Sequence, residues 1–141
     1  MKRSFALLLA IAIPVSAGDY DQFDDLGELT MHLLSGGPPV DGIPAMVNPR
    51  FAPASQISYV LDTDLVIGVV RDGEVKAYPE NLGWRHEIVN DRIGDGFISM
   101  TLCPLTGTPQ VFEATDDDGS QIEFGVSGLL LNSNLVMYDR R

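Results

Sequence analysis

Residues 65–78 read LVIGVVRDGEVKAY, and this stretch decides the fold class. A valine-rich run, LVIGVV, and a shorter run, VKAY, flank a turn sequence, RDGE, at residues 71–74. An Asp-Gly pair between β-branched runs favours the tight turn whose backbone twist matches that of two paired strands. The stretch therefore predicts a β-hairpin.

Short apolar segments of the same kind continue from the hairpin to the end of the chain. They are HEIVN at 86–90, FISMTLC at 97–103, VFEA at 111–114, IEFGV at 122–126, and apolar stretches at 129–131 and 135–138. Turn residues separate them about every eight to twelve residues, which is typical of small barrels and sandwiches. We therefore predict a mainly β fold, arranged as a small barrel or a sandwich.

The sequence before the hairpin has a different character. Residues 24–34 (DDLGELTMHLL) place leucines near helical spacing behind an acidic first turn, which predicts one short N-terminal helix. Prolines are frequent from 36 to 55 and exclude a regular helix or a central strand there. We expect a single domain, 18–141, in which residues 18–64 form the helix and a proline-rich lead-in and residues 65–141 form the β-rich core.

The N-terminus has the layout of a cleavable signal peptide, residues 1–17. A basic head, MKR, precedes the apolar run FALLLAIAIPV and the small residues Val15-Ser16-Ala17 that suit a signal peptidase. The run is too short for a membrane span of about 20 residues, and no second run of that kind follows. The sequence thus predicts an exported protein, periplasmic or secreted, with no transmembrane segment after cleavage.

Charge narrows the range of partners. The 141 residues include 20 acidic and 9 basic side chains, which gives a formal net charge of -11 at pH 7. Phosphate backbones and anionic lipid surfaces repel a domain of this charge. We therefore exclude nucleic acid and expect a small molecule, a metal or a protein as the partner.

The chain contains one cysteine, Cys103, so that an internal disulfide is impossible. Strand alternation over FISMTLC puts Cys103 on the more polar face with Ser99 and Thr101. Pro104 cannot donate to a ladder, so the strand should end there and leave the thiol beside the loop at 104–108. Functional groups gather in such places, and the thiol is either buried and inert, a metal ligand, reactive, or half of an intermolecular bridge.

His86 is the other soft donor of note. An imidazole and a thiolate together bind copper or zinc, or activate the thiol. The sequence therefore predicts a catalytic or metal site at Cys103 and His86, with copper as the candidate cofactor. Glu87 is a further catalytic candidate, but on a regular strand it faces the opposite side and needs an irregular backbone to join them. The alternative is that Cys103 is a small core residue and His86 a hydrogen-bonded structural one.

Several longer runs point to a family. They are DGIPA at 41–45, VIGV at 66–69, AYP at 77–79, HEIVND at 86–91, CPLTGT at 103–108 and FGVSGLLLNSNLVMYDR at 124–140. In this order they resemble the prokaryotic family catalogued as domain of unknown function 3179, over about residues 41–141. That family is largely exported, in agreement with the signal peptide.

The resemblance implies a set of signature residues but no activity. The set comprises His86, Glu87, Asn90, Asp91, Cys103, Pro104, Leu105, Gly107, Thr108, Ser127, Gly128, Asn132, Ser133 and Asn134. Around a Cys103 site we expect polar groups that orient it or face a substrate, namely Asn90, Asp91, Thr106, Ser127, Asn132 and Asn134.

Two departures from the family pattern matter. Many members carry a second cysteine in a CPLCG form, whereas this chain has Thr106, which excludes a dithiol–disulfide cycle within the loop. Members usually continue well past the YDR at 138–140, so we expect a C-terminally shortened form or a fragment. The leading hypothesis is an exported metal-handling or redox protein with a Cys103/His86 site. The alternatives are a non-catalytic binding or structural module and a truncated inactive remnant.

Overall fold

The structure, a computed structural model, describes residues 26–141. The predicted signal peptide and the acidic start of the predicted helix, residues 24–25, lie outside the described residues. Of the described residues, 26–31 belong to one compact unit and His32–Arg141 form a second. The first unit contains helix α1, Leu26–Thr30, in which the Thr30 hydroxyl donates a hydrogen bond to the Gly27 carbonyl at 2.7 Å.

The second unit is mainly β, as the sequence predicts. Its strands are β1 (Leu34–Ser35), β2 (Met46–Val47), β3 (Val66–Arg71), β4 (Glu74–Pro79), β5 (Ile88–Ile93), β6 (Gly96–Cys103), β7 (Thr108–Glu113), β8 (Phe124–Leu131) and β9 (Asn134–Asp139). A 3-10 turn at Ala54–Gln56 and helix α2 at Glu80–His86 complete it. No helix among the described residues has the length and apolar character needed to cross a membrane.

The strands form three sheets. β2, β5, β6 and β7 make one sheet in that order, with β2 parallel to β5 and the other pairs antiparallel. β1, β8 and β9 make a second sheet, and β3 with β4 makes the third. Because β5 and β6 are the inner strands of the largest sheet, nearly all of their side chains are buried. The core packs around Tyr78, Val89, Ile93, Ile98 and Met100.

The hairpin predicted at residues 65–78 is confirmed. β3 and β4 pair along their whole length, so that Asp72 and Gly73 form the turn between them. Both turn residues have positive φ, 50° and 82°, as the tight turn that suits strand twist requires.

The prediction of a single N-terminal helix was wrong. α1 covers only Leu26–Thr30, and Leu34, which the helical spacing included, pairs instead with Leu130 of β8. The helix of the β-rich unit is α2, which the sequence analysis did not predict. At the C-terminal end of the predicted helix, strand pairing thus overrides the helical spacing of the leucines.

α2 forms where local and tertiary factors coincide. Pro79, with φ −58°, precedes the helix, and Glu80 places a negative charge in its first turn. Gly83 lies against β6, because a Cβ at this position would come within 2.6 Å of the Leu102 Cβ. The absent side chain therefore lets the helix lie close to the strand that carries Cys103.

Candidate functional site

Cys103 is the last residue of β6, as predicted from the proline that follows it. It pairs with Thr108 of β7, and its carbonyl accepts hydrogen bonds from the Thr106 and Gly107 amides at 3.3 and 2.8 Å. These bonds close the turn at residues 104–107 tightly over the strand end. The Cys103 side chain is buried, with 1% of the residue exposed.

Glu87 lies at the junction of α2 and β5 and has an irregular backbone. Its φ of 56° is in the left-handed region, which is costly for a residue with a side chain. Its amide donates to the Gly83 carbonyl at 2.7 Å, and its carbonyl accepts from the Leu102 amide at 2.8 Å. The helix and β6 therefore hold Glu87 beside the residue that precedes Cys103.

Glu87 and Cys103 line one small cavity. Its volume is about 20 Å³, which is room for about one water molecule. The rest of the wall consists of glycine, proline and leucine residues, namely Gly36, Pro38, Pro104, Leu105, Gly128, Leu129, Leu130 and Leu135. Among the described residues that line it, Glu87 and Cys103 are thus the two that carry a reactive side chain.

The Glu87 carboxyl has no polar partner among the described residues, and its oxygens still reach solvent. Only 8% of the residue is exposed, and its carboxyl makes no hydrogen bond or ion pair with another described residue. Burial alone raises the pKa of this carboxyl above its ordinary value. A carboxyl in this state can hold a proton at a pH at which an exposed glutamate has lost it.

His86 does not join this cavity. Its Nδ1 lies 2.9 Å from the Pro44 carbonyl oxygen, which is a hydrogen bond in the tautomer that carries the proton on Nδ1. The ring is not part of the cavity wall, and no group of three or more histidine, cysteine or acidic side chains suited to a metal occurs among residues 26–141. Glu87, and not His86, therefore lines the cavity together with Cys103.

The Asn90 and Asp91 side chains make hydrogen bonds inside the fold. The Asn90 side-chain amide donates to the Phe124 carbonyl at 2.9 Å and accepts from the Phe124 amide at 3.0 Å, which joins β5 to the start of β8. Asp91 accepts from the Lys76 ammonium at 2.9 Å and from the Tyr78 hydroxyl at 2.7 Å. Burial, and next the hydrogen bond to Asp91, raise the pKa of the Tyr78 hydroxyl. Neither Asn90 nor Asp91 lines the cavity.

Ser127 shapes the wall without facing the cavity. Its hydroxyl donates to the Val136 carbonyl and accepts from the Leu129 amide at 3.1 Å, at a register shift between β8 and β9. The next residue, Gly128, has φ 74°, and a Cβ there would lie 2.0 Å from the Pro38 carbonyl oxygen. The bulge thus presses Gly128 against the chain at Pro38, and both residues belong to the cavity wall.

The other predicted polar residues lie elsewhere. The Thr106 and Thr108 hydroxyls are 3.0 Å apart in the turn after β6. Asn132 is exposed in the turn between β8 and β9, and the Asn134 amide donates to Gln110 at 2.6 Å. None of these side chains is on the cavity wall. Of the wall leucines only Leu105 belongs to the family signature, and no polar or chemical signal marks the others.

The first and last of the family-like runs, DGIPA and YDR, are joined by side-chain hydrogen bonds. The Asp41 carboxylate accepts from the Tyr138 hydroxyl at 2.5 Å and from both terminal nitrogens of the Arg140 guanidinium at 3.0 and 2.6 Å. The hydrogen bonds from Tyr138 and then Arg140 lower the pKa of Asp41. The two runs therefore have a structural role, since their side chains bind two distant parts of the chain together.

A second, larger hollow lies along the hairpin. It is an open cleft of about 1030 Å³ between β4 and the stretch of chain from Pro49 to Asp62. Phe51 and Tyr59 line it together with aliphatic residues, and none of the predicted site residues does. The cleft therefore adds nothing to the site around Cys103.

Comparison with known proteins gives one result. The model of the family described as "Protein of unknown function (DUF3179)" matches residues 40–141. No curated protein and no solved structure matches the chain. The match covers most of the chain and confirms the resemblance found in the sequence, so the chain belongs to the DUF3179 family.

Proposed function

We propose that this chain is an exported thiol-based redox protein, in which Cys103 reacts with a small oxidant and Glu87 carries the proton. The observation that carries the proposal is the cavity that Cys103 and Glu87 share. A lone buried cysteine is often only a small core residue. Here Glu87 lines the same cavity, its carboxyl has no polar partner among the described residues, and desolvation raises its pKa; a carboxyl of that kind is suited to proton transfer.

The reaction with a peroxide balances within this pair. The Glu87 carboxylate takes the thiol proton, and the Cys103 sulfur attacks one peroxide oxygen. The S–O bond forms as the O–O bond breaks, and the departing oxygen takes the proton from Glu87. With hydrogen peroxide the products are a sulfenic acid and water, so the sulfur is oxidised and the peroxide is reduced.

The backbone at Glu87 supports the same assignment. A non-glycine residue at φ 56° costs stability, and such strain concentrates at functional sites because it places one side chain against the local preference. Here the strained residue follows α2 directly and lines the cavity. His86, at the regular end of the helix, has a carbonyl partner and is expected to be structural.

The test measures how fast hydrogen peroxide oxidises Cys103 in the purified protein. Intact mass, with dimedone present to trap sulfenic acid, follows the reaction, and Cys103→Ser provides the blank. We expect Glu87→Gln to slow oxidation about 10²-fold, because general acid–base catalysis contributes about that much or more. His86→Ala is the matched control and should leave the rate unchanged.

Two results would refute this assignment. One is oxidation of the Glu87→Gln protein at the rate of the unaltered chain. The other is a loss of rate in His86→Ala with no loss in Glu87→Gln. Copper remains a separate hypothesis, and it predicts stoichiometric copper that Cys103→Ser and His86→Ala each remove.

Export is the part of the proposal that depends on the sequence. The supporting pattern is the basic head, apolar run and small residues of 1–17. Expression of the full chain in a bacterial host, followed by fractionation and N-terminal sequencing, tests it. Recovery of an uncleaved chain in the cytoplasmic fraction would refute export.

A further inference from the structure

The open cleft beside the hairpin follows one edge of β4. All six residues of this strand line the cleft, although successive side chains of a strand point to opposite faces. A cleft that contacts residues of both faces follows the edge of the strand. Val66 is the one residue of β3 in its wall, so the edge concerned is the one that β4 turns away from β3.

This edge carries backbone hydrogen-bonding groups without protein partners. β4 pairs with β3 alone, and no other described residue makes a backbone hydrogen bond with β4. The pair that flanks the two-residue turn is hydrogen-bonded, so the next pair, Val70 and Val75, is not. The alternation continues along the strand, and the amides and carbonyls of Val75 and Ala77 therefore point away from β3. Pro79 occupies the next such position, where its missing amide costs no hydrogen bond to β3.

The other wall of the cleft is apolar and exposed. Phe51, Tyr59 and Leu61 belong to it and are 42%, 68% and 64% exposed. The Phe51 ring centroid lies 5.4 Å from that of Tyr78 and 4.5 Å from Lys76 Nζ, which fixes this wall beside β4. Exposed apolar side chains that lie together mark an interaction surface. The cleft thus combines a free strand edge with an apolar wall.

The dimensions of the cleft fit an extended peptide. The six residues of β4 span about 17 Å at about 3.4 Å per residue, and the cleft has a volume of about 1030 Å³. A segment of similar length can therefore lie along the strand. A second copy of this chain cannot supply it from its own β4, because that edge is recessed behind the same wall.

We infer that the cleft binds an extended apolar segment of a partner protein, which adds to β4 as a further strand. In this mode of recognition, main-chain hydrogen bonds provide affinity and alternate side chains provide specificity. The backbone groups of Val75 and Ala77 supply the hydrogen bonds, and the wall at Phe51 and Leu61 receives the side chains. The net charge of -11 repels an acidic segment and attracts a basic one, so the segment has basic flanks. The inference requires no reaction at Cys103 and is independent of the proposed function.

The test measures binding of a synthetic peptide, KVTVTVK with blocked ends, by the fluorescence anisotropy of an attached dye. We expect saturable binding to the purified protein. Methylation of the backbone amides at alternate residues removes the hydrogen-bond donors of one peptide edge and leaves the side chains intact. Methylation of one set, the valines or the threonines, should weaken binding about tenfold or more, because that edge pairs with β4. Methylation of the other set should weaken it much less. The acidic peptide EVTVTVE should bind more weakly than KVTVTVK, and the difference should shrink as salt is added.

Two pairs of variants locate the binding. Val75→Pro removes an outward amide on the cleft edge, and Val70→Pro removes one on the opposite edge of the hairpin, at the paired position. The two valines are 70% and 71% exposed, and Val70 is not in the cleft wall. Val75→Pro should weaken binding about tenfold, and Val70→Pro should leave it unchanged.

The second pair leaves both strands intact. Leu61→Ala removes apolar wall and should weaken binding about tenfold. Leu65→Ala is its control, because Leu65 is 69% exposed and lies outside the wall. Unfolding midpoints show which variants are folded, and the leucine pair keeps the test decisive if a proline variant is not.

Several outcomes would overturn the inference. They are the absence of saturable binding by either peptide, equal weakening by the two methylation sets, and equal binding by Leu61→Ala and Leu65→Ala. A dimer in analytical ultracentrifugation that Leu61→Ala abolishes would also overturn it, because the occupant would then be a second copy. Equal affinities of KVTVTVK and EVTVTVE at low salt would refute the preference for basic flanks. Cys103→Ser should bind the peptide as the unaltered protein does, so failure here leaves the thiol reaction standing, and an unreactive thiol leaves peptide binding standing.

Discussion

Replacement of Gly128 by alanine tests whether the bulge in β8 builds the cavity wall. The new Cβ would lie 2.0 Å from the Pro38 carbonyl oxygen and 3.0 Å from its carbon. Both are backbone atoms, so the contact cannot be relieved by turning a side chain. The chain around Pro38 or the bulge itself must move.

Two effects add in this variant. A residue with a Cβ at φ 74° is in the left-handed region, which costs about 1–2 kcal/mol. Overpacking against a fixed neighbour adds about 1–3 kcal/mol. We therefore expect Gly128→Ala to lower the free energy of unfolding by about 2–5 kcal/mol.

Gly119→Ala provides the matched control. Gly119 has φ 84°, but no atom lies within 4 Å of its hypothetical Cβ. It therefore shows the backbone cost alone, about 1–2 kcal/mol. The entropy that alanine removes from the unfolded chain is common to both variants and cancels in the difference.

Urea unfolding of the three proteins gives the comparison, with midpoints and slopes measured for each. We expect Gly128→Ala to be less stable than Gly119→Ala by about 1–3 kcal/mol at an unchanged slope. Equal stability of the two variants would mean that Gly128 does not press against Pro38. The wall of the cavity would then be wider than the structure shows.

Two further predictions concern residues of the HEIVND run. Because burial raises the pKa of Glu87, the folded protein holds this proton to a higher pH than the unfolded chain does, and the associated stability is lost as pH rises through the folded pKa. As the pH rises from acidic to neutral, the unaltered protein should therefore lose stability relative to Glu87→Gln. Urea unfolding measures both proteins at each pH, and a gain in the stability of the unaltered protein relative to the variant would contradict the raised pKa. Asn90→Ala should cost about 2–4 kcal/mol, because it leaves the Phe124 amide and carbonyl without their partner. The control is Asn81→Ala, on the exposed side of α2, which should change stability by less than about 0.5 kcal/mol. Equal losses of stability in the two variants would refute the structural role of the Asn90–Phe124 hydrogen bonds.

The parts of the fold that were predictable are those that neighbouring residues determine. The turn at Asp72 and Gly73 follows from local chemistry, since the same two residues supply the positive φ angles that the hairpin needs. Pro104 similarly ends β6 at Cys103 because it cannot donate to a ladder. Both features needed no knowledge of the rest of the chain.

The helices were mispredicted because distant contacts decide them. The leucine spacing at 24–34 is a local signal, but Leu34 pairs with Leu130, which is far along the chain. α2 contains Gly83, a poor helix residue, and its missing side chain is what permits packing on Leu102. A sequence shows the cost of that glycine and does not show the contact that requires it.

The surroundings of Cys103 were only partly predictable, for the same reason. The sequence predicts Cys103 at a strand end and requires an irregular backbone for Glu87 to share its side of the strand, and Glu87 has a φ of 56°. His86 was the expected neighbour because imidazole and thiolate are chemically matched. The hydrogen bond between His86 and Pro44 joins residues from separate parts of the chain, and no local pattern in the sequence reveals it.

Glu87 is also the residue at which stability and reactivity should separate. Desolvation makes the ionised Glu87 carboxyl costly in free energy, so an uncharged amide of the same shape should stabilise the fold once the pH is high enough to ionise the carboxyl. A glutamate with a purely structural role predicts the reverse, since its removal would then weaken the protein. Glu87→Gln should therefore have two effects of opposite sign. The protein should become more stable, and Cys103 should be oxidised more slowly. A packing role changes stability alone, and only proton transfer from Cys103 to Glu87 changes both.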